Sequence, residues 1–219
     1  MKVLVVDNRD SFVFNLTEDL ARLGAECIVV RGGISLEKMH ERMEMARPDM
    51  VLLSPGPGHP DDGGVMMPFL QEKPKVPVLG ICLGMQVLAE TGDEFGSHDG
   101  LGLIPGAVRR LPAPAGRGGT RIPNVGWRQI DCRRNDPLLE AGSYYFVHSY
   151  AFYPAAEDDL VATIPVNGSD APAVVRRGSA IGCQFHPERS GPLGLRLLAR
   201  FAAAAEENMN ERESCNVGG

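Results

Sequence analysis

The feature that most restricts what this chain can fold into is a glycine–cysteine–glycine motif, Gly80-Ile-Cys82-Leu-Gly84. An apolar run ends at its first glycine, and an apolar helical pattern begins just beyond the cysteine. This order is typical of a nucleophile elbow, in which a strand turns sharply into a helix with the nucleophile at the apex. Glycine is needed on both sides because side chains would collide in so tight a turn. The motif alone also fits a buried cysteine in an ordinary turn, but the flanking strand and helix favour a nucleophile at Cys82.

Length and charge restrict the class of protein further. The 219 residues suit one α/β domain, which we expect over 1–205, with a frayed polar tail at 206–219. The net charge of −6 and the lack of a basic stripe argue against nucleic acid as a partner. No segment is apolar over the length of a membrane span, so no membrane partner is expected. Five scattered cysteines without a Cys-x-x-Cys motif favour a reducing cytoplasm over a disulfide framework, and they predict no metal site.

The first third of the chain alternates short apolar runs with amphipathic helical patterns. Strands are predicted at 2–6, 28–30 and 50–53, and Ser35 is a candidate cap for the second helix. This alternation predicts an α/β fold with a doubly wound, mostly parallel sheet flanked by helices, as in flavodoxin. Ligands bind at the carboxyl ends of the strands in such sheets. The segment 55–60 and the cysteine elbow both fall at such ends.

The second half of the chain differs in composition and in its apolar pattern. Glycine and proline become frequent beyond Gly100, and short apolar stretches at 108–111, 144–147, 160–163, 173–176 and 180–185 predict a β-rich, partly antiparallel half. A mobile loop is expected at 111–120 and a last helix at 193–204.

A cysteine nucleophile needs a base, and two of the five histidines follow apolar runs and so emerge at strand ends: His148 and His186. His40 lies on a predicted helix with charged neighbours and His98 in a polar loop, and both are interpreted as surface residues. His59 follows the glycine loop and could approach a ligand, although a surface position is favoured. His186 is the better candidate because Glu188 lies two residues beyond it and could orient the imidazole. The His-Pro-Glu segment alone fits a surface turn equally well.

Two motifs together, Gly-Ile-Cys-Leu-Gly-Met-Gln at 80–86 and Gly-Cys-Gln-Phe-His-Pro-Glu at 182–188, resemble those of the class I glutamine amidotransferases. The resemblance covers nearly the whole chain. It implies that Cys82 attacks the side-chain amide of glutamine, with His186 as base and then acid and Glu188 orienting His186. It also implies that the thioester is hydrolysed to glutamate, that ammonia passes to a synthase, and that no cofactor is used.

The same resemblance implies the residues around the substrate. The backbone N–H groups of Leu83 and of the Gly56 region would form the oxyanion hole. Four side chains and one further glycine would lie along the glutamine pocket: Gly58, Gln86, His148, Ser149 and Tyr150.

Two families of amidotransferase are represented in the chain. Segments 5–16 and 54–63 resemble the glutaminase subunits of anthranilate and aminodeoxychorismate synthases. Four later segments resemble the glutaminase subunit of imidazole glycerol phosphate synthase, from histidine biosynthesis: 100–106, 123–127, 145–150 and 186–191. A divergent natural protein and a recombinant of the two families fit equally well.

We give the later segments more weight, which implies a heterodimer with the cyclase subunit (HisF-like) of imidazole glycerol phosphate synthase. Pro123 and Trp127 would contact that partner from a predicted loop. Taken alone, Trp127 could be either a core anchor or an interface anchor. Other cysteine hydrolases and binding proteins carry the same elbow, but Gln86 and the segment 148–150 argue against them.

Overall fold

The structure is a computed structural model that describes residues 1–7, 13–31, 34–54, 56, 76–94, 96–116 and 118–216, with side chains up to 207. In chain order its strands are β1 (Lys2–Asp7), β2 (Glu26–Arg31), β3 (Met50–Leu53), β4 (Val78–Ile81), β5 (Thr91–Gly92), β6 (His98–Asp99), β7 (Gly106–Arg110), β8 (Asn124–Gln129), β9 (Asp131–Cys132), β10 (Ser143–His148), β11 (Tyr150–Pro154), β12 (Leu160–Val166), β13 (Ser169–Arg177) and β14 (Ala180–Cys183). The helices are α1 (Val13–Arg22), α2 (Leu36–Ala46), α3 (Leu83–Gln86) and α4 (Gly191–Asn216), with short 3₁₀ turns at Glu157–Asp159 and Pro187–Arg189.

An eight-stranded sheet in the order β2-β1-β3-β4-β14-β13-β12-β9 forms the centre of the protein. The first five strands are parallel, and the last three pair antiparallel to their neighbours. Strands β3 and β4 are buried along their whole length, as expected for parallel strands covered on both faces. The predicted α/β fold with a mostly parallel sheet and a β-rich second half is therefore confirmed.

The helices of the first half form where the sequence places apolar faces and caps. Helix α1 buries Val13, Leu16 and Leu20 against the core at i, i+3 and i+7 spacing. Helix α2 begins after Ser35, whose side-chain oxygen accepts a hydrogen bond from the backbone N–H of Lys38 at 3.3 Å. The two helices cover opposite faces of the sheet, because Leu16 clusters with Val3 and Val5 whereas Met39 clusters with Leu4 and Val6.

Helix α3 is shorter than the apolar pattern beyond Cys82 predicts. It ends at Gln86, because the carbonyls of the next residues are taken by another segment: Val87 O accepts from Leu101 N–H at 2.8 Å and Leu88 O from Ile104 N–H at 3.1 Å. Helix α4 is longer than predicted and runs to Asn216 instead of 204. It therefore passes through most of the segment 206–219, for which fraying stays a prediction.

Two smaller sheets complete the second half, and both contain strands that the sequence did not predict. Strand β8 pairs antiparallel with β10, and β11 pairs with β7 in the four-stranded sheet β11-β7-β5-β6. The placement of Trp127 in a loop was wrong, because Trp127 lies on β8 opposite Tyr145. The strand was missed because it contains Gly126, with φ +128°, and because the neighbours Val125 and Trp127 are exposed. We call β8 and β10 together the ribbon.

The segment 111–120 forms no helix or strand in its described residues, and it is fixed at both ends to one side chain. Asn167 accepts a hydrogen bond from Thr120 N–H at 2.7 Å and donates to the carbonyls of Pro112 and Thr120 at 2.7 and 2.9 Å. The described part of this segment is thus tied to the turn between β12 and β13.

Candidate active site

Cys82 occupies the apex of a strained turn between β4 and α3. Its backbone has φ 53° and ψ −106°, a conformation that residues other than glycine rarely adopt and that recurs at functional sites. A Cβ atom on Gly80 would lie 2.3 Å from the carbonyl oxygen of Gly84, and one on Gly84 would lie 2.3 Å from that of Leu53. Both glycines of the motif are therefore required by backbone contacts, as in a nucleophile elbow.

The short helix after the elbow gives little electrostatic help to the thiol. A macrodipole grows with the number of aligned peptide units, and α3 has only four residues. The contribution of this helix terminus at Cys82 is therefore small.

His186 and Glu188 lie directly beyond β14, the strand that pairs with β4. The backbone N–H of His186 donates to Tyr145 O at 2.9 Å, and its Nδ1 lies 2.8 Å from Oε1 of Glu188, a fully buried side chain. With Nδ1 engaged by the carboxylate, Nε2 is left for the hydrogen bond with the Cys82 thiol. Burial alone lowers the pKa of His186, but the hydrogen bonds with Cys82 and Glu188 outweigh burial and raise it to about 10. An imidazolium at neutral pH favours a thiolate beside it.

A cavity of about 260 Å³ opens at the thiol of Cys82. Six of the seven residues predicted to contact glutamine line it: Gly56, Leu83, Gln86, His148, Ser149 and Tyr150. The seventh, Gly58, lies outside the described residues. Pro123, predicted at the partner interface, also lines the cavity. The size of the cavity and its several polar groups suit a small polar molecule.

The backbone carbonyl of Tyr150 organises two of these side chains. It accepts hydrogen bonds from Nδ1–H of His148 at 2.8 Å and from Nε2 of Gln86 at 3.1 Å. Because a carbonyl only accepts, Nδ1 of His148 carries the proton, and Nε2 accepts from the side-chain amide of Asn124 at 2.9 Å. Burial lowers the pKa of His148 to about 4, so this imidazole is neutral and does not act as a second charged partner for Cys82.

Three residues at the site received no role from the sequence. Gln184 is fully buried beside the sulfur, Asn124 is fully buried behind His148, and Glu94 lines the cavity. Gln184 could have been found, because it is a polar residue in the otherwise apolar run 180–185. No comparable signal marks Asn124 or Glu94, since each depends on contacts made far along the chain.

The ribbon carries an exposed apolar face that ends at the nucleophile. Trp127 is 53% exposed and Val125 is 52% exposed, and the indole packs edge-on against Tyr145 with ring centroids 6.0 Å apart. Val147 pairs with Val125 across the ribbon, and its carbonyl oxygen accepts a hydrogen bond from the Cys82 thiol at 3.8 Å. Trp127 is therefore not a buried core anchor within the described part of the chain.

Among the described residues, no group of three or more His, Cys, Asp or Glu side chains is placed to hold a metal ion. None of the helices described is both long and apolar enough to cross a membrane.

Comparison with known proteins identifies relatives of this chain. The sequence matches the family described as glutamine amidotransferase class-I over residues 4–205. The imidazole glycerol phosphate synthase subunit HisH of Streptococcus sanguinis (strain SK36) is 45% identical over 135 residues, which are 60% of this chain and 63% of that protein. The HisH 2 subunit of Prochlorococcus marinus (strain MIT 9313) is 38% identical over 186 residues, which are 77% of this chain and 85% of that protein.

The match with the Streptococcus relative thus spans less than two thirds of that protein's length. Among solved structures, PurLQS from Thermotoga maritima superposes with a TM-score of 0.64 at 19% identity, over 93% of this chain and 98% of that one. A crystal structure of a glutamine amidotransferase gives the same TM-score at 20% identity, again over 93% and 98% of the two chains. These structures support the fold.

Proposed function

We propose, since this chain belongs to the class I glutamine amidotransferases, that it is the glutaminase subunit of an imidazole glycerol phosphate synthase. In this proposal the chain hydrolyses glutamine to glutamate and ammonia in the cytoplasm and delivers the ammonia to a cyclase subunit. One observation carries the chemistry: Cys82 sits on a strained elbow in hydrogen-bond contact with His186, which is held by buried Glu188. The resemblance to HisH subunits supports the pathway.

The mechanism follows from that contact. The thiolate of Cys82 attacks the side-chain amide carbon of glutamine, and the carbonyl electrons move to the oxygen. Backbone N–H groups of Leu83 and Gly56, which line the same cavity, stabilise this oxyanion. The imidazolium of His186 gives its proton to the leaving amine, and ammonia departs as the thioester forms. His186, now neutral, takes a proton from water, and the resulting attack releases glutamate and regenerates the thiolate.

The cavity offers groups for the other end of glutamine. Both N–H groups of the Gln86 amide are used within the protein, by Tyr150 O and by Gln184 Oε1 at 3.1 Å. Its Oε1 takes part in neither bond and is the atom through which Gln86 would contact substrate. The carboxylate of Glu94, on the same wall, suits the α-ammonium group of an amino acid.

The ribbon supports a protein partner. An exposed tryptophan on β8, with the exposed valines Val125 and Val147 paired across the two strands beside it, is typical of a binding hot spot. We assign Trp127 and Pro123 to the contact with the cyclase subunit. Trp127→Ala should weaken that association by about 2 kcal/mol or more, and the chain should stay folded because the indole is half exposed.

A titration of the purified chain against two partners tests the function. Glutamate release is measured while either the cyclase subunit of imidazole glycerol phosphate synthase or the large subunit of an anthranilate synthase is added. The proposal predicts stimulation by the cyclase only. Stimulation by the chorismate enzyme only would assign the chain to the second family, which segments 5–16 and 54–63 resemble. Absence of glutaminase activity with both partners would contradict the proposed reaction itself.

A further inference from the structure

Gln184 is a fully buried polar residue that the proposed mechanism does not use. It lies between the end of β14 and His186, and its backbone N–H donates to Ala173 O at 2.9 Å. Its side chain reaches the nucleophile: Nε2 lies 3.6 Å from Sγ of Cys82. A buried amide is retained in a core only where its hydrogen bonds are made, so these contacts explain its presence.

The orientation of the Gln184 side-chain amide is set by the backbone carbonyl of Tyr150, through the amide of Gln86. The carbonyl of Tyr150 can only accept, so the atom of Gln86 that faces it must be the nitrogen. The second N–H of that nitrogen then donates to Gln184 Oε1 at 3.1 Å. With its oxygen occupied, Gln184 has only its nitrogen left to face the sulfur of Cys82. A backbone carbonyl, that of Tyr150, thus fixes Gln184 as a hydrogen-bond donor to the Cys82 sulfur.

The two neutral groups at the sulfur have opposite effects on its proton. Val147 O, 3.8 Å from Sγ, accepts only and so stabilises the protonated thiol. The N–H of Gln184 donates and so stabilises the thiolate, as hydrogen bonds to the charged form of a group do. Hydrogen bonds to charged groups are stronger than those between neutral ones, so the Gln184 contact gains strength when the sulfur carries its charge.

We propose that Gln184 is a catalytic residue whose side-chain amide donates a hydrogen bond to the thiolate of Cys82, with Gln86 and the Tyr150 carbonyl holding it in the donating orientation. Gln184 gives up no proton in this role: the thiol proton resides on His186. The hydrogen bond weakens when the S–C bond forms and the sulfur loses its charge. It is restored when the S–C bond breaks in thioester hydrolysis, so Gln184 also stabilises the leaving thiolate.

The inference rests on the proposed function only in that Cys82 is the nucleophile, and its test needs neither glutamine nor a partner. The rate of alkylation of Cys82 by iodoacetamide is measured from pH 5 to 10 on the full chain. It is followed by mass spectrometry of the Cys82 peptide, because Cys132 is exposed and also reacts. The midpoint of this profile reports the ionisation of the thiol.

Gln184→Met removes the donor at similar volume and should raise the midpoint by about one pH unit, a tenfold loss of thiolate below the midpoint. Gln184→Glu places an acceptor and a charge at the sulfur and should raise it further. Gln129→Met, at an exposed glutamine of β8, is the matched control and should leave the midpoint unchanged. A Gln184→Met protein with wild-type circular dichroism and a wild-type midpoint would overturn the proposal.

A double-mutant cycle tests the orientation. Gln86→Met should raise the midpoint by less than Gln184→Met, because the amide of Gln184 is then free to rotate but keeps its donor. The double variant should match Gln184→Met alone, since Gln86 acts on the sulfur only through Gln184. Midpoint shifts that add up in the double variant would contradict an effect of Gln86 exerted through Gln184. If Gln184→Met does not fold, Gln184→Glu and Gln86→Met decide the proposal, and wild-type midpoints in both would overturn it.

The outcomes separate this inference from the proposed function. A shifted midpoint in a chain without glutaminase activity would support the hydrogen bond and contradict the function. An unshifted midpoint in an active enzyme would contradict the hydrogen bond and support the function.

Discussion

Gly84→Ala perturbs the elbow at the point where the structure leaves least room. The new Cβ would lie 2.3 Å from the carbonyl oxygen of Leu53, and ordinary contact begins near 3.4 Å, so the elbow and the end of β3 must separate by about 1.1 Å. The atoms in contact are backbone atoms, which cannot turn aside as a flexible side chain can. Because β3 leads to Gly56 and the elbow carries Cys82, the separation changes the cavity where the oxyanion would form.

The size of the effect follows from that displacement. Overpacking of this kind costs about 1–3 kcal/mol of unfolding free energy. For a chain of this length, about 2 kcal/mol corresponds to a fall in Tm of about 6 °C. A misplacement of about 1 Å between nucleophile and oxyanion donors reduces kcat by about a hundredfold. The thermal midpoint is followed by circular dichroism, and kcat by glutamate release with saturating cyclase subunit.

Gly116→Ala is the matched control, because a Cβ there meets nothing within 4 Å and the backbone is not in the left-handed region. It should change the unfolding free energy by less than about 1 kcal/mol, in the stabilising direction. It should also leave kcat unchanged. A Gly84→Ala protein with the Tm and kcat of the Gly116→Ala protein would refute the elbow as the structural reason for the glycine.

Three further predictions concern titration and charge. Burial lowers the pKa of His148 to about 4. Between pH 6.5 and about pH 4, His148 therefore binds a proton in the unfolded chain but not in the folded protein. Stability should thus fall by up to about 3 kcal/mol from pH 6.5 to pH 4, and urea unfolding of His148→Gln should lack this contribution. Asp136→Ala should cost about 3 kcal/mol in the same assay, because the buried carboxylate accepts from Arg176 Nη1 at 2.9 and 3.0 Å; an unchanged midpoint would contradict this. Glu188→Gln keeps an acceptor for His186 but removes the charge that raises its pKa, so kcat for glutamate release should fall by about a hundredfold or more.

The features that the sequence predicts well are those that neighbouring residues determine. Apolar runs predict β1 and β3, and the helical spacing of apolar residues predicts α1. Each of these elements buries a face that its own residues define. The elbow is predictable because its motif lies within five residues, although the atom that a Cβ on Gly84 would meet belongs to Leu53 in β3. His186 and Glu188 are predictable as a pair because only one residue separates them.

The features that the sequence does not predict depend on distant segments. Helix α3 ends at Gln86 because Leu101 and Ile104 bind the carbonyls of the two residues that follow it, and no local breaker marks that end. Strand β8 is stabilised by pairing with β10, so its exposed Trp127 and central glycine resemble a loop when considered alone. The role of Gln184 depends on Gln86, which lies 98 residues earlier.

Detection of a covalent intermediate on Cys82 tests nucleophilic catalysis by this residue directly. The chain with its cyclase subunit is mixed with excess glutamine and quenched in acid during turnover, and the Cys82 peptide is measured by mass spectrometry. The mechanism predicts a peptide heavier by one glutamyl group, absent from Cys82→Ala, which should also release no glutamate. Release of glutamate by Cys82→Ala, or a glutamyl group found on another residue, would contradict nucleophilic catalysis by Cys82.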